Sequence, residues 1–325
     1  MRDNRLFELI ASDLVQVEER LKQGINSDSK LISEISAYVL GAGGKRLRSA
    51  LVLLAARLCG YQDGGQHIKL ASLVEYLHAA TLIHDDIIDN ADKRRGKPSA
   101  NCQWGSGISV LVGDYLFSRS VQMLIEDRDF EVMKAFADAT VSMTEGEVME
   151  LEMQRNADIT HEEYFRIITA KTAALISAAC RAGALVARAT QEKVEALAAF
   201  GLNLGIAFQL VDDALDFVAE EERLGKPVGN DLKEGKITYP LIYVLNHGAE
   251  EDRRHLRALA TRETLSAEDL EEVRGLVKKY RAVEATLEVV RSYLEQAKAN
   301  LHVFPESPVR LTLEAIAEFV VERDR

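Results

Sequence analysis

Two stretches of this chain, "DDIID" at Asp85–Asp89 and "DDALD" at Asp212–Asp216, repeat one arrangement of carboxylates. In each, acids stand at i, i+1 and i+4. On a helix, Asp85 and Asp89 share a face, as do Asp212 and Asp216, while Asp86 and Asp213 project about 100° away. Apolar residues surround both clusters, the second most closely ("FQLVDDALDF"). A carboxylate among apolar neighbours needs protonation, a cation or a metal. A solvated helix end, or pairing with nearby arginines, would account for one such cluster. Two copies inside apolar helices, with no basic residue nearer to Asp212 than Arg223, favour a metal. Hard oxygen ligands without paired His or Cys suit Mg²⁺, which keeps several waters and binds substrate phosphates as well.

Cations stand beside these acids. Lys45 and Arg48 lie in "GGKRLRS", after glycines and at the start of an apolar helix, where amides and helix dipole favour an anion. Arg94 and Arg95 follow the first acidic cluster within one loop. Lys171 and Thr172 interrupt the apolar helix "IITAKTAALISAAC", where a buried lysine needs an anionic partner. Lys226 and Lys236 occupy the Gly-containing stretch after the second cluster. Each alone would pass as a solvated surface charge; their placement together suggests a phosphate ligand. His78 lies seven residues before Asp85, about 20° off the same helical face; alone, a histidine on an apolar helix reads as a core residue, and its placement leaves ligand contact open. His84, adjacent to Asp85, is expected to be structural.

The elements that must position these groups are helices. Apolar residues recur at three- and four-residue spacing from "LFELIASDLVQVEERLKQGI" onward. Helices are expected at 107–126, 130–154, 160–189, 192–219 and 237–246, with two or three more after Ser266, interrupted at "FPESP". No stretch alternates long enough to seed a sheet, and no linker or fixed-period repeat divides the chain. The expectation is an all-α fold: one domain over residues 1–325, an antiparallel helix bundle around a deep central cavity.

Composition limits the function classes. The chain has 325 residues, 47% of them hydrophobic, a net charge of −12 and five prolines. An acidic chain lacks the basic footprint of a nucleic-acid binder. Cys59, Cys102 and Cys180 form no CxxC pair. The charged N-terminus does not read as a signal peptide, and no uninterrupted apolar run reaches the roughly 20 residues of a bilayer span, so no transmembrane segment and a cytoplasmic setting are expected. "GNDLKEGKIT" has Ile237 where a P-loop needs Ser or Thr, and "GSGISVLVG" lacks the third glycine of a dinucleotide fingerprint.

Taken together, "GGKRLR", "HAATLIHDDIIDNADKRRGKP", the "KT" at Lys171, "FQLVDDALDF" and "GKPVGNDLKEGKITYPL" resemble the trans-isoprenyl diphosphate synthases, in that family's order and spacing over nearly the whole chain. Among them the chain is most similar to the long-chain polyprenyl branch, of octaprenyl type. The resemblance implies head-to-tail joining of an allylic diphosphate, such as farnesyl diphosphate, to isopentenyl diphosphate. Pyrophosphate is released, and an all-trans polyprenyl diphosphate grows toward a quinone side chain. It also implies a homodimer. Carried over by motif, Lys45, Arg48, His78 and Arg95 hold isopentenyl diphosphate. Arg94, Lys171, Thr172, Gln209 and Lys226 contact the allylic diphosphate, with Lys236 nearby. Asp85, Asp89 and Asp212 hold Mg²⁺, three ions with substrate bound, and Asp86, Asp213 and Asp216 support them.

Ala80 and Thr81 lie at the positions where, in the resembled family, aromatic residues close the pocket and give short products. Both are small here, which implies a product beyond geranylgeranyl; Phe136 and Met143 are floor candidates. Three alternatives stand beside this reading. A medium-chain farnesyl or geranylgeranyl diphosphate synthase would share the motifs. A terpene cyclase would not need "GGKRLR" and His78. A non-catalytic subunit of a heteromeric synthase would be expected to lose acids.

Overall fold

The computed structural model of the chain describes residues 6–25, 27–41, 46–62, 64–218 and 229–322. Lys45 and Lys226 lie outside these residues. The chain packs as two compact units. One comprises Met1–Ala137, Ile176–Gly201 and Leu301–Leu313; the other comprises Asp138–Leu175, Leu202–Asn300 and Glu314–Arg325.

The fold is all-α, as the periodicity implies. The first helices are α1 (Ala11–Gly24), α2 (Lys30–Leu40), α3 (Leu47–Leu58), α4 (Gln66–Ile88), α5 (Ala100–Trp104), α6 (Ser106–Asp127) and α7 (Phe130–Glu152). After α8 (His161–Ile168) comes a π-helical turn, Thr169–Ala173, and then α9 (Ala174–Val186) and α10 (Gln191–Val218). The remainder is α11 (Asn230–Lys233), α12 (Tyr239–His247), α13 (Glu250–Ala260), α14 (Ala267–Lys279), α15 (Ala282–Asn300) and α16 (Pro308–Glu322).

Three features depart from the sequence reading. The expected helix over 160–189 is broken by the π turn at Lys171. The charged segment α13, for which no helix is expected, is helical. The loop expected at Arg94 and Arg95 is a hairpin of β1 (Lys93–Arg94) and β2 (Lys97–Pro98), the only strands among the described residues.

In the first unit, α3 and α4 form the core that carries the functional groups. Eight consecutive residues of α3, Ser49 to Ala56, are buried, and α4 is buried on nearly all sides from His67 to Ala80. Such all-round apolar helices belong to an interior. The carboxylates sit where α4 ends. Asn90 takes a left-handed conformation (φ 50°), the amide of Ala91 bonds the Asp86 carbonyl at 2.9 Å, and that of Asn90 bonds Ile87 at 3.3 Å. This is a Schellman stop, with Asn in place of the usual Gly. The hairpin then turns through Arg95 and Gly96, both at positive φ (52° and 76°), the geometry of a two-residue I′-type turn. Tyr38 of α2 donates to the Pro98 carbonyl at 2.7 Å and pins the hairpin down.

Two helices, α6 and α10, are long and apolar enough to cross a membrane by length and composition alone. In α10 most of the apolar window is buried inside the protein (67%), as in a core helix; in α6 only 33% is. Leu111, Phe117, Val121 and Ile125 of α6 are exposed.

Candidate active site

The first cluster lies within the first unit. Asp86 is buried and takes a hydrogen bond from Arg94 Nε at 2.6 Å, so the hairpin folds back onto the end of α4. Asp85 and Asp89, on the other face, are partly exposed. Arg48 sits in the first turn of α3. His78, near the Asp85 face of α4, is half-buried. Desolvation, followed by the positive fields of Arg48, Arg95, Arg94 and Arg46, holds its pKa well below 6.5. The ring is therefore neutral at neutral pH, a hydrogen-bonding group set among permanent cations. The fold thus gathers Arg48, His78, Arg94 and Arg95, which the sequence spreads over nearly fifty residues. Ala80 is buried, and Thr81 Oγ1 donates to the His78 carbonyl at 2.9 Å.

Arg46, second cation of "GGKRLRS", turns inward instead. It caps α3 at φ 48°, and its guanidinium reaches Glu18 at 2.6 Å, Glu75 at 3.1 Å and the Leu40 carbonyl at 2.8 Å. Buried Glu75 also accepts from the Ser49 amide and hydroxyl at 3.2 and 2.9 Å. One basic run therefore divides its labour: Arg46 fastens the start of α3, which presents Arg48.

The second cluster lies within the second unit. Asp212 is exposed, whereas Asp213 and Asp216 are buried. Asp213 accepts from Tyr164 Oη and, at 2.8 Å, from Gln209 Nε2. Thr172 donates to Gln209 Oε1 at 2.8 Å. A chain of hydrogen bonds thus runs from the π turn through Gln209 to Asp213 and Tyr164. Burial pushes the Asp213 carboxyl up to about 7, against those two donors and with the charges of Asp212 and Glu150. Asp216 accepts from the backbone amides of Asn230 and Asp231 at 3.1 and 3.2 Å. Its carboxylate thereby starts α11, whose end at Gly235 (φ 86°) delivers Lys236.

Lys171 projects from the π turn, an element that recurs at functional sites. Its Nζ meets Glu150 at 2.5 Å and Glu147 at 2.7 Å, both on α7. Lys236 meets Glu234 at 2.7 Å and Glu150 at 3.6 Å. The anionic partner that a half-buried Lys171 requires is present within the protein. Gly146 permits this approach: a Cβ there would lie 2.6 Å from the Lys171 backbone nitrogen.

Among the described residues, no three carboxylate, imidazole or thiol side chains converge closely enough to hold a metal by themselves. The donor set nevertheless fits Mg²⁺, which uses one or two carboxylates and fills its octahedron with water and phosphate oxygens. Sequence reasoning passed over Arg46, Glu75, Glu147, Glu150, Tyr164 and Asp231. Asp231 has a carboxyl raised well above its ordinary range by desolvation and by Asp216 and Asp213.

The model of the family described as polyprenyl synthetase matches residues 29–277. The chain is 39% identical over 325 residues to the octaprenyl diphosphate synthase of Escherichia coli (strain K12), with 100% of both chains covered. A decaprenyl diphosphate synthase from Rhodobacter capsulatus superposes with a TM-score of 0.94 at 39% identity, covering 99% of each chain. The polyprenyl synthase from Caulobacter crescentus CB15, complexed with calcium and isoprenyl diphosphate, gives 0.95 at 39% identity, covering 99% of this chain and 98% of that one.

Proposed function

The chain belongs to the polyprenyl synthetase family and is a trans-prenyltransferase, and on that premise we propose how its residues divide the reaction. It condenses isopentenyl diphosphate with an allylic diphosphate, head to tail, and builds a long all-trans polyprenyl diphosphate.

The observation that carries the assignment of roles is a partition common to both acidic clusters. Asp86, Asp213 and Asp216 are buried and held by protein donors, while Asp85, Asp89 and Asp212 keep access to solvent. Asp85, Asp89 and Asp212 are the proposed ligands of Mg²⁺, three ions with substrate bound. Bound Mg²⁺ supplies charge neutralisation to the departing pyrophosphate. The Caulobacter crescentus neighbour, with its divalent cation and diphosphate, supports this reading.

Arg48, Arg95 and neutral His78, with Lys45, bind isopentenyl diphosphate; His78 donates a hydrogen bond without adding charge. Lys171, Thr172, Gln209 and Lys236, with Arg94 and Lys226, hold the allylic diphosphate. These cations stabilise the leaving group as its charge grows. The alkene, held in place, then attacks the allylic cation, so positioning replaces a protein nucleophile. A proton is lost to the departing pyrophosphate.

Small Ala80 and Thr81 leave room for a growing chain, with Phe136 and Met143 as floor candidates. The exposed apolar face of α6 supports a homodimer, and we place the enzyme in the cytoplasm as a single catalytic domain. The test is incubation with Mg²⁺, farnesyl diphosphate and labelled isopentenyl diphosphate, followed by sizing of the products. No incorporation of label would sink the reading; products ending at geranylgeranyl would sink the chain-length part alone.

A further inference from the structure

Lys171 and Lys236, two cations assigned to the allylic diphosphate, are each already paired. Glu147 and Glu150, one turn apart on α7, both reach Lys171 Nζ, at 2.7 and 2.5 Å. The same Glu150 oxygen stands 3.6 Å from Lys236 Nζ, which also binds Glu234 at 2.7 Å. These side chains are only 14–22% exposed, so water screens them weakly. Among the described residues, three carboxylates share these two ammonium groups. Glu147 Oε1 is buried with no hydrogen-bond partner among the described residues. Gly146 and the π turn fix the crowding, because they bring the backbones of α7 and Lys171 into direct contact.

A diphosphate that binds these lysines competes with the glutamates for the same ammonium protons. We propose that Glu150 is a competing counter-ion. It yields Lys171 and Lys236 to the allylic diphosphate and reclaims them from pyrophosphate once the carbon–oxygen bond has broken. It is a positioning residue, acting through the two lysines and touching no reacting atom. Its position between both lysines makes it the carboxylate whose charge bears on the whole diphosphate subsite. Glu147 and Glu234 each pair with one. The same competition favours departure of pyrophosphate between additions, since it weakens the hold of both lysines on the product. A synthase that adds many isoprene units must release pyrophosphate after each.

This inference rests on the reading of Lys171 and Lys236 as diphosphate ligands, and the experiment separates the two. Inorganic pyrophosphate with Mg²⁺ is titrated calorimetrically into the full-length wild type, Glu150→Gln, Glu150→Asp and Lys171→Met. Glu150→Gln keeps the shape and removes the charge, and should bind pyrophosphate about tenfold more tightly, about 1.4 kcal/mol. Glu150→Asp, which restores the charge, should return toward the wild-type affinity. In steady state, Glu150→Gln should lower the KM for the allylic diphosphate and lower kcat, while the single-turnover rate is retained. A merely structural role would not raise affinity.

Unchanged or weaker pyrophosphate binding in Glu150→Gln, with Lys171→Met losing it, overturns the competition and leaves the lysine assignment standing. Wild-type affinity in Lys171→Met overturns the lysine assignment itself. If Glu150→Gln fails to fold, Glu147→Gln removes a carboxylate from Lys171 alone. It should shift affinity in the same direction by a smaller factor, and no gain there overturns the proposal.

Discussion

Arg94 Nε donates to the Asp86 carboxylate at 2.6 Å and thereby ties the turn of the hairpin to the end of α4. The Asp86 side chain is 6% exposed and that of Arg94 30%, so the bond is made at the edge of the interior. Asp86→Ala leaves a partly buried guanidinium without that acceptor. The expected loss is about 1–3 kcal/mol of stability, read as a lower Tm, with a raised KM for the allylic diphosphate. An unchanged KM would remove Arg94 positioning from the list of functions of Asp86.

Asp85→Ala and Asp212→Ala remove carboxylates that keep access to solvent. Each should cut turnover on the order of 10²-fold or more, as loss of one transition-state stabiliser does elsewhere, with little change in Tm. Near-normal rates in either variant would refute its metal role.

His78 supplies a pH signature. Its folded-state pKa lies well below the ordinary 6.5, because desolvation and then Arg48, Arg95, Arg94 and Arg46 oppose the imidazolium. The unfolded chain takes up this proton near 6.5, so the stability tied to the neutral ring is complete above that pH. It is lost as pH falls toward the lowered folded value. His78→Gln should therefore flatten the dependence of Tm on pH between roughly 7.5 and 5.5. Parallel Tm curves for the two proteins would contradict this.

Gly146→Ala places a Cβ 2.6 Å from the Lys171 backbone nitrogen and 2.9 Å from Ala170 Cβ. The helices must separate at the π turn. A cost of about 1–3 kcal/mol is expected, as for other overpacked contacts, read as a lower Tm. A variant with normal stability would show that the backbones separate there at no cost.

Thr81→Phe fills space beside buried Ala80 and should shorten the product to geranylgeranyl or less at retained initial rates. Chromatography of the dephosphorylated products decides it; an unaltered product length would move the control of length elsewhere.

What the sequence discloses about this site is what lies close along the chain. The spacing of the aspartates, the basic run at Arg48 and the placement of His78 before Asp85 all operate within one or two helical elements. The partners that fasten these groups are remote. Tyr164 and Asp213 are 49 positions apart, and Glu150 and Lys171 are 21 apart. On the page Glu147 and Glu150 look like the polar stripe of an amphipathic helix, and Arg46 looks like its basic neighbours. The hairpin escaped notice because strands of two residues carry no periodicity. The helix α13 escaped because "EEDRRHLRALA" is dominated by charge, its apolar stripe being confined to Leu256, Leu259 and Ala260.

The π turn at Thr169–Ala173 has an evolutionary and engineering corollary. Such a turn holds one residue more than an α turn, so a single-codon deletion there would restore an uninterrupted helix from His161 to Val186. Placed before Lys171, such a deletion would shift that residue by one position, about 100° around the helix. Helical regularity and the placement of Lys171 therefore pull this segment in opposite directions.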